Sequence, residues 1–145
     1  ELQPPPPEIV PLVSFNAADV LAVEVRTGAG HVGAQRRDDG WAGPVGAKAV
    51  DDFLRALSGV GRVSHIPLGD RELAEFGLED PARSVVLVRR QPLAPLRIDV
   101  GRDNPASTAV YVRVDRVGPI VLAGAVLTWE IDKFASRGAA TAPRP

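Results

Sequence analysis

Residues 74–81 read Ala-Glu-Phe-Gly-Leu-Glu-Asp-Pro and separate two halves of different pattern. In this stretch, which we name the central segment, Phe76 and Leu78 are apolar residues on either side of Gly77. Pro81 ends any helix that approaches it, because proline lacks an amide hydrogen and restricts the residue before it. We therefore predict a short helical turn that stops before Pro81, with Phe76 and Leu78 buried and Gly77 in a left-handed conformation. We interpret the central segment as a hinge that docks the two halves on one core.

The half before the central segment alternates apolar and polar residues in its strands and then changes to a helical period. Four apolar residues mark one face of its helix at spacings i, i+3, i+4 and i+7: Val50, Phe53, Leu54 and Leu57. The predicted elements are strands at 19–26, 31–37 and 62–68, a helix at 47–58, and a helical turn from Asp70 to Phe76. The first two strands are close enough in sequence to form a hairpin.

The half after the central segment predicts strands until a late helix. These elements are strands at 84–89, 96–100, 109–114 and 120–122, and a helix at 127–136. The fold class is therefore α+β, a mostly antiparallel sheet with two main amphipathic helices, arranged as two sub-halves joined at the central segment. The core is expected to consist mainly of Trp41, Phe53, Leu54, Leu57, Phe76, Leu78, Val86, Val88, Ile98, Tyr111, Val112, Ile131 and Phe134.

The ends of the chain differ in composition from its middle. Four prolines at 4–7 form a stiff, extended run that we interpret as a tether, since the basic residues that flank ligands of proline-recognition modules are lacking. We divide the chain into a proline-rich linker at 1–13, one domain at 14–136 and a flexible tail at 137–145. The chain contains no Met, so we expect a trimmed piece with an apolar anchor or signal upstream of Glu1.

Composition argues against several classes of function. The net charge of −1 gives no electrostatic attraction to nucleic acid or to an anionic membrane surface, and 5% aromatic residues are too few for base-stacking platforms. The absence of Cys removes disulfides, thiolate nucleophiles and zinc–thiolate sites. No apolar run reaches the about 18 residues of a membrane-spanning helix.

A glycine motif is the most suggestive chemical pattern in the sequence. Residues 28–33 read Gly-Ala-Gly-His-Val-Gly and match the dinucleotide fingerprint G-x-G-x-x-G after a strand. A dinucleotide site also needs a helix that begins inside the motif, so that its amides face the pyrophosphate. Only seven residues separate the motif from the next turn, which is too few for that helix and a return strand. We therefore predict a hairpin that does not bind NAD or FAD.

The titratable residues do not form a recognisable catalytic or metal-binding pattern. His31 and His65 are the only histidines and have no spacing typical of a metal site, so surface positions are expected. Adjacent acids at 51–52 diverge by about 100° on a helix, and those at 38–39 serve a turn. No G-x-S-x-G elbow surrounds a serine. We predict no catalytic, cofactor-binding or metal-binding residue.

Several short pieces recur in the order expected of one bacterial family. They are Val-Leu-Ala-Val-Glu-Val at 20–25, Gly-Trp-Ala-Gly-Pro at 40–44, Asp-Phe-Leu-Arg-Ala-Leu at 52–57, Phe-Gly-Leu-Glu-Asp-Pro at 76–81, Val-Gly at 100–101 and Tyr-Val-Arg at 111–113. Over residues 14–136 this order resembles the bacterial domain of unknown function 4340. Its structural landmarks here are Trp41, Pro44, Phe76, Gly77, Leu78, Pro81, Gly101 and Tyr111.

The resemblance implies an extracytoplasmic domain, periplasmic or in the cell envelope, held at the inner membrane by an anchor outside this chain. Members are often encoded beside ABC-type transporters of the kind associated with gliding motility. The expected function is a non-catalytic accessory or interaction domain with a protein partner in the envelope. The alternatives are a module that binds a small envelope ligand and, second, an enzyme. Trp41, Tyr111 and Trp129 should distinguish them: buried rings favour the interaction domain, and rings lining a cleft favour a ligand.

Overall fold

The computed structural model describes residues 10–28, 30–38, 40–43, 45–66, 73–116 and 119–141. The described strands form one antiparallel sheet with two α-helices, which confirms the predicted α+β class. The strands are β1 Val20–Thr27, β2 Gly30–Arg37, β3 Gly40–Ala42, β4 Arg62–Ile66, β5 Arg83–Arg89, β6 Leu96–Asp103, β7 Ala109–Val114 and β8 Ile120–Gly124. The α-helices are α1 Ala47–Ser58 and α2 Val126–Thr141, and short 3₁₀ helices span Ala17–Asp19 and Leu73–Phe76.

The order of strands in the sheet corrects the prediction of two sub-halves. The order is β3-β2-β1-β5-β6-β7-β8-β4, and every pairing is antiparallel. The two halves meet where β1 pairs with β5, and β4 leaves its own half to pair with β8 at the far edge. They are therefore parts of one continuous sheet, joined by backbone hydrogen bonds as well as by the central segment.

One face of the sheet is covered by the two α-helices. Side chains alternate between the two faces along each strand, and the row formed by Val25, Val85, Ile98 and Val114 in register faces the helices. The first three of these are completely buried. We call the opposite side, which carries the alternate residues, the open face.

Helix α1 begins and ends where the sequence predicts. It follows Gly46, and the amide of Gly59 donates to the carbonyls of Arg55 and Ala56 at its end. The four apolar residues predicted for one face are all buried. Phe53 packs against Phe134 of α2 with ring centroids 4.7 Å apart, so the two helices share one hydrophobic layer.

The central segment has the conformation predicted for it but packs somewhere else. Phe76 and Leu78 are 3% and 6% exposed, and Gly77 has φ of 72°, so these predictions are confirmed. Both side chains join Ile120 in a second buried cluster, separate from the main core, against which Tyr111 packs edge-on at 5.0 Å. The interpretation as a hinge on one shared core is wrong, because the segment covers the β7–β8 part of the open face.

Glycines allow this close approach of backbone to backbone. A Cβ at Gly101 of β6 would overlap the carbonyl oxygen of Phe76. A Cβ at Gly77 would lie 2.8 Å from the amide nitrogen of Arg102, in addition to the strain of its positive φ. Gly77 and Gly101 are two of the predicted landmarks. The backbone at Gly77 lies directly against the backbone of β6 at Gly101, so neither position has room for a side chain. Pro81 follows, half-buried, just before β5.

The predicted core contains an error of strand parity. Val86 is half-buried and Val88 is 36% exposed, whereas Val85 and Leu87 are completely buried. The run at 84–89 is apolar at nearly every position, so its pattern does not say which residues face the helices. The pairing of Val85 with Val25 decides it. Of the remaining predicted core residues, Trp41 and Tyr111 are half-buried.

The described ends extend beyond the predicted domain. Leu12 and Val13, assigned to the linker, are buried in the main core, and the amide of Leu12 donates to Val60 at 2.9 Å. Helix α2 continues to Thr141, past the predicted boundary at 136, and β3 was not predicted. The proline run, Pro44 and Asp70 lie outside the described residues. Within the described part of the chain, neither helix has the length and hydropathy needed to cross a membrane.

Candidate functional site

A polar row crosses five strands on the open face. The register places His31 beside Arg26, Arg26 beside Ser84, Ser84 beside Asp99, and Asp99 beside Arg113. These residues come from β2, β1, β5, β6 and β7, and each is an alternate residue in a strand whose neighbours face the helices. Antiparallel pairing of distant segments thus brings together side chains that are up to 87 positions apart in sequence.

The adjacent row of residues on the open face contains a glycine, and the surface is lower there, which creates a groove. It places Gly33, Glu24, Val86 and Arg97 side by side. Gly33 carries no side chain, so the surface dips there into a cavity of about 350 Å³, which shares Glu24 and His31 with a neighbouring cavity of about 100 Å³. We call this the open-face groove. The larger cavity is lined by Ala22, Glu24, His31, Gly33, Ala34, Gln35, Arg37, Ala42 and Gly43, and the smaller by Glu24, Arg26, His31, Ser84, Val86 and Arg97.

Asp99 is the buried charge of this surface. Its side chain is 4% exposed, and its two carboxylate oxygens accept from Arg97 Nε at 2.9 Å and Arg116 Nε at 3.3 Å. A buried carboxylate needs such partners, because the loss of hydration is otherwise very unfavourable. Arg97 is held further by its backbone, whose amide donates to Asp115 Oδ1 at 2.8 Å. Asp99 therefore holds the guanidinium of Arg97, and Asp115 holds its backbone.

The charges nearer the hairpin are not neutralised in this way. Glu24 and Arg26 are exposed, and neither has an ion pair within 4 Å with another residue that the structure describes. Among the described residues, the smaller cavity thus has one guanidinium and one carboxylate without an ion pair, and it has Arg97, which shares a single carboxylate with Arg116. Its positive groups exceed its negative ones although the whole chain carries −1.

The predicted landmark Trp41 has a structural position outside the groove. Its indole nitrogen donates to Asp51 Oδ1 of α1 at 3.2 Å. The guanidinium of Arg36 lies 4.4 Å from the ring centroid, and its Nε donates to the carbonyl of Val20 at 2.9 Å. The ring therefore fastens the short edge strand β3 to helix α1 and to β2.

The three aromatic rings chosen to distinguish the functions do not line one cleft. Trp41 packs against α1, and Tyr111 packs against Phe76 on the open face. Trp129 is 60% exposed on α2, where the ammonium of Lys133 lies 4.1 Å from its ring centroid. The rings are neither all buried nor gathered, so their arrangement favours neither outcome.

The candidate titratable residues are not brought together. Asp51 accepts from Trp41, whereas Asp52 accepts from Lys48 Nζ at 2.9 Å, and that hydrogen bond lowers the pKa of Asp52. His31 is exposed, as predicted. In the parts of the chain that the structure describes, no three His, Cys, Asp or Glu side chains are placed to hold a metal ion. The side chain of His65 lies outside that description.

The glycine motif forms the predicted hairpin. Strand β1 ends at Thr27 and pairs with Gly30 at the start of β2, and no helix begins between 28 and 33 in the described residues. Gly30 has φ of 139°, a conformation that side chains disfavour. The second and third glycines of the motif therefore belong to a strand whose Gly33 forms the floor of the groove.

Comparisons with protein-family models, with curated proteins and with solved structures found no match to this chain. The resemblance to the domain of unknown function 4340 stays a prediction, and the groove must be interpreted from its own chemistry.

Sequence reasoning did not find the groove residues. Glu24, Arg26, Arg97 and Asp99 were visible as the polar members of alternating strands. What was missing was the register, which sets Ser84 beside both Arg26 and Asp99. The polar residues form one row across five neighbouring strands, and this row can be recognised only after the strand order is known.

Proposed function

We propose that this chain is a non-catalytic interaction domain that docks a protein partner on its open face. The proposal rests on one observation. The sheet is covered by helices on one side, whereas the groove on its other side has a floor of small residues and, at its wall, exposed charges that have no ion pair among the described residues. A groove that is already formed loses little conformational entropy on binding.

Catalysis is less well supported than binding. A general acid or base needs a partner that adjusts its pKa, and a nucleophile needs a base within hydrogen-bond distance. The groove contains the hydroxyl of Ser84 and the imidazole of His31, but these residues lie on strands that are separated by β1. Their positions favour recognition of a polar group over attack on it.

The place of action follows from the family resemblance. We propose an extracytoplasmic location, with an anchor upstream of Glu1 that holds the domain at the inner membrane. The partner on this reading is a component of an ABC-type transport complex in the envelope. A full-length gene that encodes a cytosolic protein without such an anchor would contradict this part of the proposal.

A small-ligand module is the second candidate. The observation in its favour is the larger cavity, whose volume of about 350 Å³ lies within the range of ligand pockets. Ligand pockets usually enclose most of their ligand, whereas the lining of this cavity comes from three adjacent strands of one sheet face and from Gly43, which follows β3. A surface laid across the groove fits that shape better than a small enclosed molecule.

Site-specific photocrosslinking in the full-length protein, within native membranes, tests the proposal. A photoreactive phenylalanine analogue at Val88, 36% exposed on the open face, should crosslink a transport-complex component identified by mass spectrometry. The same analogue at Ser136, exposed on α2, is the matched control and should not crosslink that component. Crosslinks from Ser136 alone, or none from Val88, would overturn the proposed docking face.

A further inference from the structure

We infer that the smaller cavity of the open-face groove binds an acidic side chain of an extended peptide segment in the partner. This inference rests on the proposed function, because it assumes that a protein docks on the open face. It adds the chemistry of the contact: a carboxylate received by Arg26 and Arg97 beside the hydroxyl of Ser84.

The size of the cavity suits one such group. The volume of about 100 Å³ exceeds the about 10–15 Å³ that a cavity needs to hold one water molecule. A carboxylate with its methylene group is small enough to enter such a space. The donors around it are two guanidinium groups and the Ser84 hydroxyl, and such donors suit the lone pairs of a carboxylate.

The charges around the cavity favour an anion. Arg97 and Arg116 share the single carboxylate of Asp99, whereas Asp115 accepts from the backbone amide of Arg97 and not from either guanidinium. Arg26 adds a further positive charge without a described ion-pair partner. Glu24 opposes them from the wall shared with the larger cavity, and solvent screens its charge and that of the equally exposed Arg26 alike, so the less exposed Arg97 is the main attraction for an anion.

Arg97 is held in place before any ligand arrives. Its Nε donates to Asp99, and its backbone pairs with Asp115 through both the amide and the carbonyl. A fixed guanidinium loses less side-chain entropy when it binds a carboxylate than a mobile one does. Arg97 thus positions the bound carboxylate, and Arg26 supplies the adaptable second contact.

The larger cavity accounts for the rest of the peptide. Its floor includes Ala22, Gly33 and Ala42, and it adjoins the smaller cavity at Glu24 and His31. Backbone can approach closely over residues this small. An extended segment therefore lies over Gly33 while its acidic side chain enters the cavity beside Arg26.

The experiment is an amide chemical-shift titration of the ¹⁵N-labelled domain with defined probes. The probes are a capped Ala/Glu heptapeptide, its Ala/Gln counterpart, inorganic phosphate, and vesicles that contain phosphatidylglycerol. The Ala/Glu peptide should shift the amides of Arg26, Ser84 and Arg97, and the Ala/Gln peptide should bind far more weakly. Equal binding of the two peptides, or tighter binding of phosphate or vesicles, would overturn the inference.

Variants test whether each charged side chain strengthens or weakens binding of the acidic peptide. Arg26→Gln should weaken binding of the Ala/Glu peptide about tenfold or more, because one charge-assisted contact is lost. Glu24→Gln should strengthen it, because a repulsive charge is removed. Arg55→Gln on α1, on the other side of the sheet, is the matched control and should leave the affinity unchanged. Arg26 is exposed, so its variant should keep the wild-type melt, and that melt is recorded first.

The outcomes separate the inference from the proposed function. If Val88 still crosslinks the partner while Arg26→Gln binds the Ala/Glu peptide as well as the wild type, the open face docks a protein but the acidic contact is wrong. If Arg26→Gln loses peptide binding while Val88 crosslinks nothing, the cavity binds carboxylates but the open face is not the docking surface.

Discussion

Replacing Phe76 with Ala tests how the central segment contributes to stability. The ring is 3% exposed and packs with Leu78 and Ile120 in a cluster of its own on the open face. The edge of Tyr111 lies across it, with ring centroids 5.0 Å apart. Removal of the ring therefore empties the middle of a small cluster and leaves the main core in place.

The expected cost is large compared with the stability of a domain this size. Truncation of a buried Phe to Ala typically lowers the free energy of unfolding by about 3–5 kcal/mol, through lost burial and the cavity left behind. We expect about 3 kcal/mol at Phe76, near the lower end, because a satellite cluster covered by one short segment can collapse more readily than the core. Domains have only about 5–15 kcal/mol in total, so the variant should be marginally stable.

The assay is a denaturant melt combined with native-state hydrogen exchange. Phe76→Ala should lower the midpoint and speed exchange at Tyr111 and Ile120 more than in α1. Phe53→Ala, in the main core, should speed exchange throughout the sheet and helices. Asp52→Ala, at the surface of α1, should lower the midpoint far less than Phe76→Ala, because it removes only the pair with Lys48. A Phe76→Ala midpoint equal to the wild type, or uniform acceleration of exchange, would refute the assignment of Phe76 to a separate cluster that stabilises the fold.

Three further predictions follow from the contacts already described. Gly101→Ala should destabilise the domain by about 1–3 kcal/mol, because its Cβ overlaps the carbonyl of Phe76, whereas Gly28→Ala, with open space around it, should cost much less in the same melt. The NMR titration midpoint of Asp52 should lie below 3.8, because Lys48 lowers the pKa of Asp52, and it should rise in Lys48→Gln. The contribution of the Lys48–Asp52 pair to stability should be present above pH 3.8 and should be lost as the pH falls through the lowered pKa of Asp52. The hairpin at 28–33 should bind neither NAD nor FAD in calorimetry at micromolar concentrations, and measurable binding would contradict that interpretation.

Local pattern was sufficient where one face of an element is apolar and the other polar. The period of α1 gave its bounds and its four buried residues, and the alternation at 109–114 gave the bounds of β7. In both elements the order of apolar and polar residues along the chain distinguishes the buried face from the exposed face, so no knowledge of the partner strand or helix is needed.

Local pattern was insufficient where the placement of an element depends on the strand that it packs against. The run of apolar residues in β5 does not show which of them face the helices. The sequence therefore predicts Val86 in the core, whereas Val85 faces the helices. The pairing of β4 with β8 joins segments that are far apart in sequence, so local pattern does not predict it. Strand β3 is too short to give a periodic signal. The central segment was correct in conformation because proline and glycine act locally, whereas its position on the open face depends on Gly101, in a strand that begins fifteen residues after Pro81.

The same dependence explains why the groove lies where it does. The central segment shields the β7–β8 part of the open face, where it buries Ile120 and contacts Tyr111. Among the described residues, the corresponding surface of β2, β1 and β5 remains accessible, with Glu24, Arg26 and Val88 exposed. A single-layer sheet with helices on one side needs cover on the other only where its side chains are large and apolar. The central segment supplies that cover over Ile120, whereas the part of the open face that carries Gly33 and the exposed charges of Glu24 and Arg26 has no such cover from the described residues.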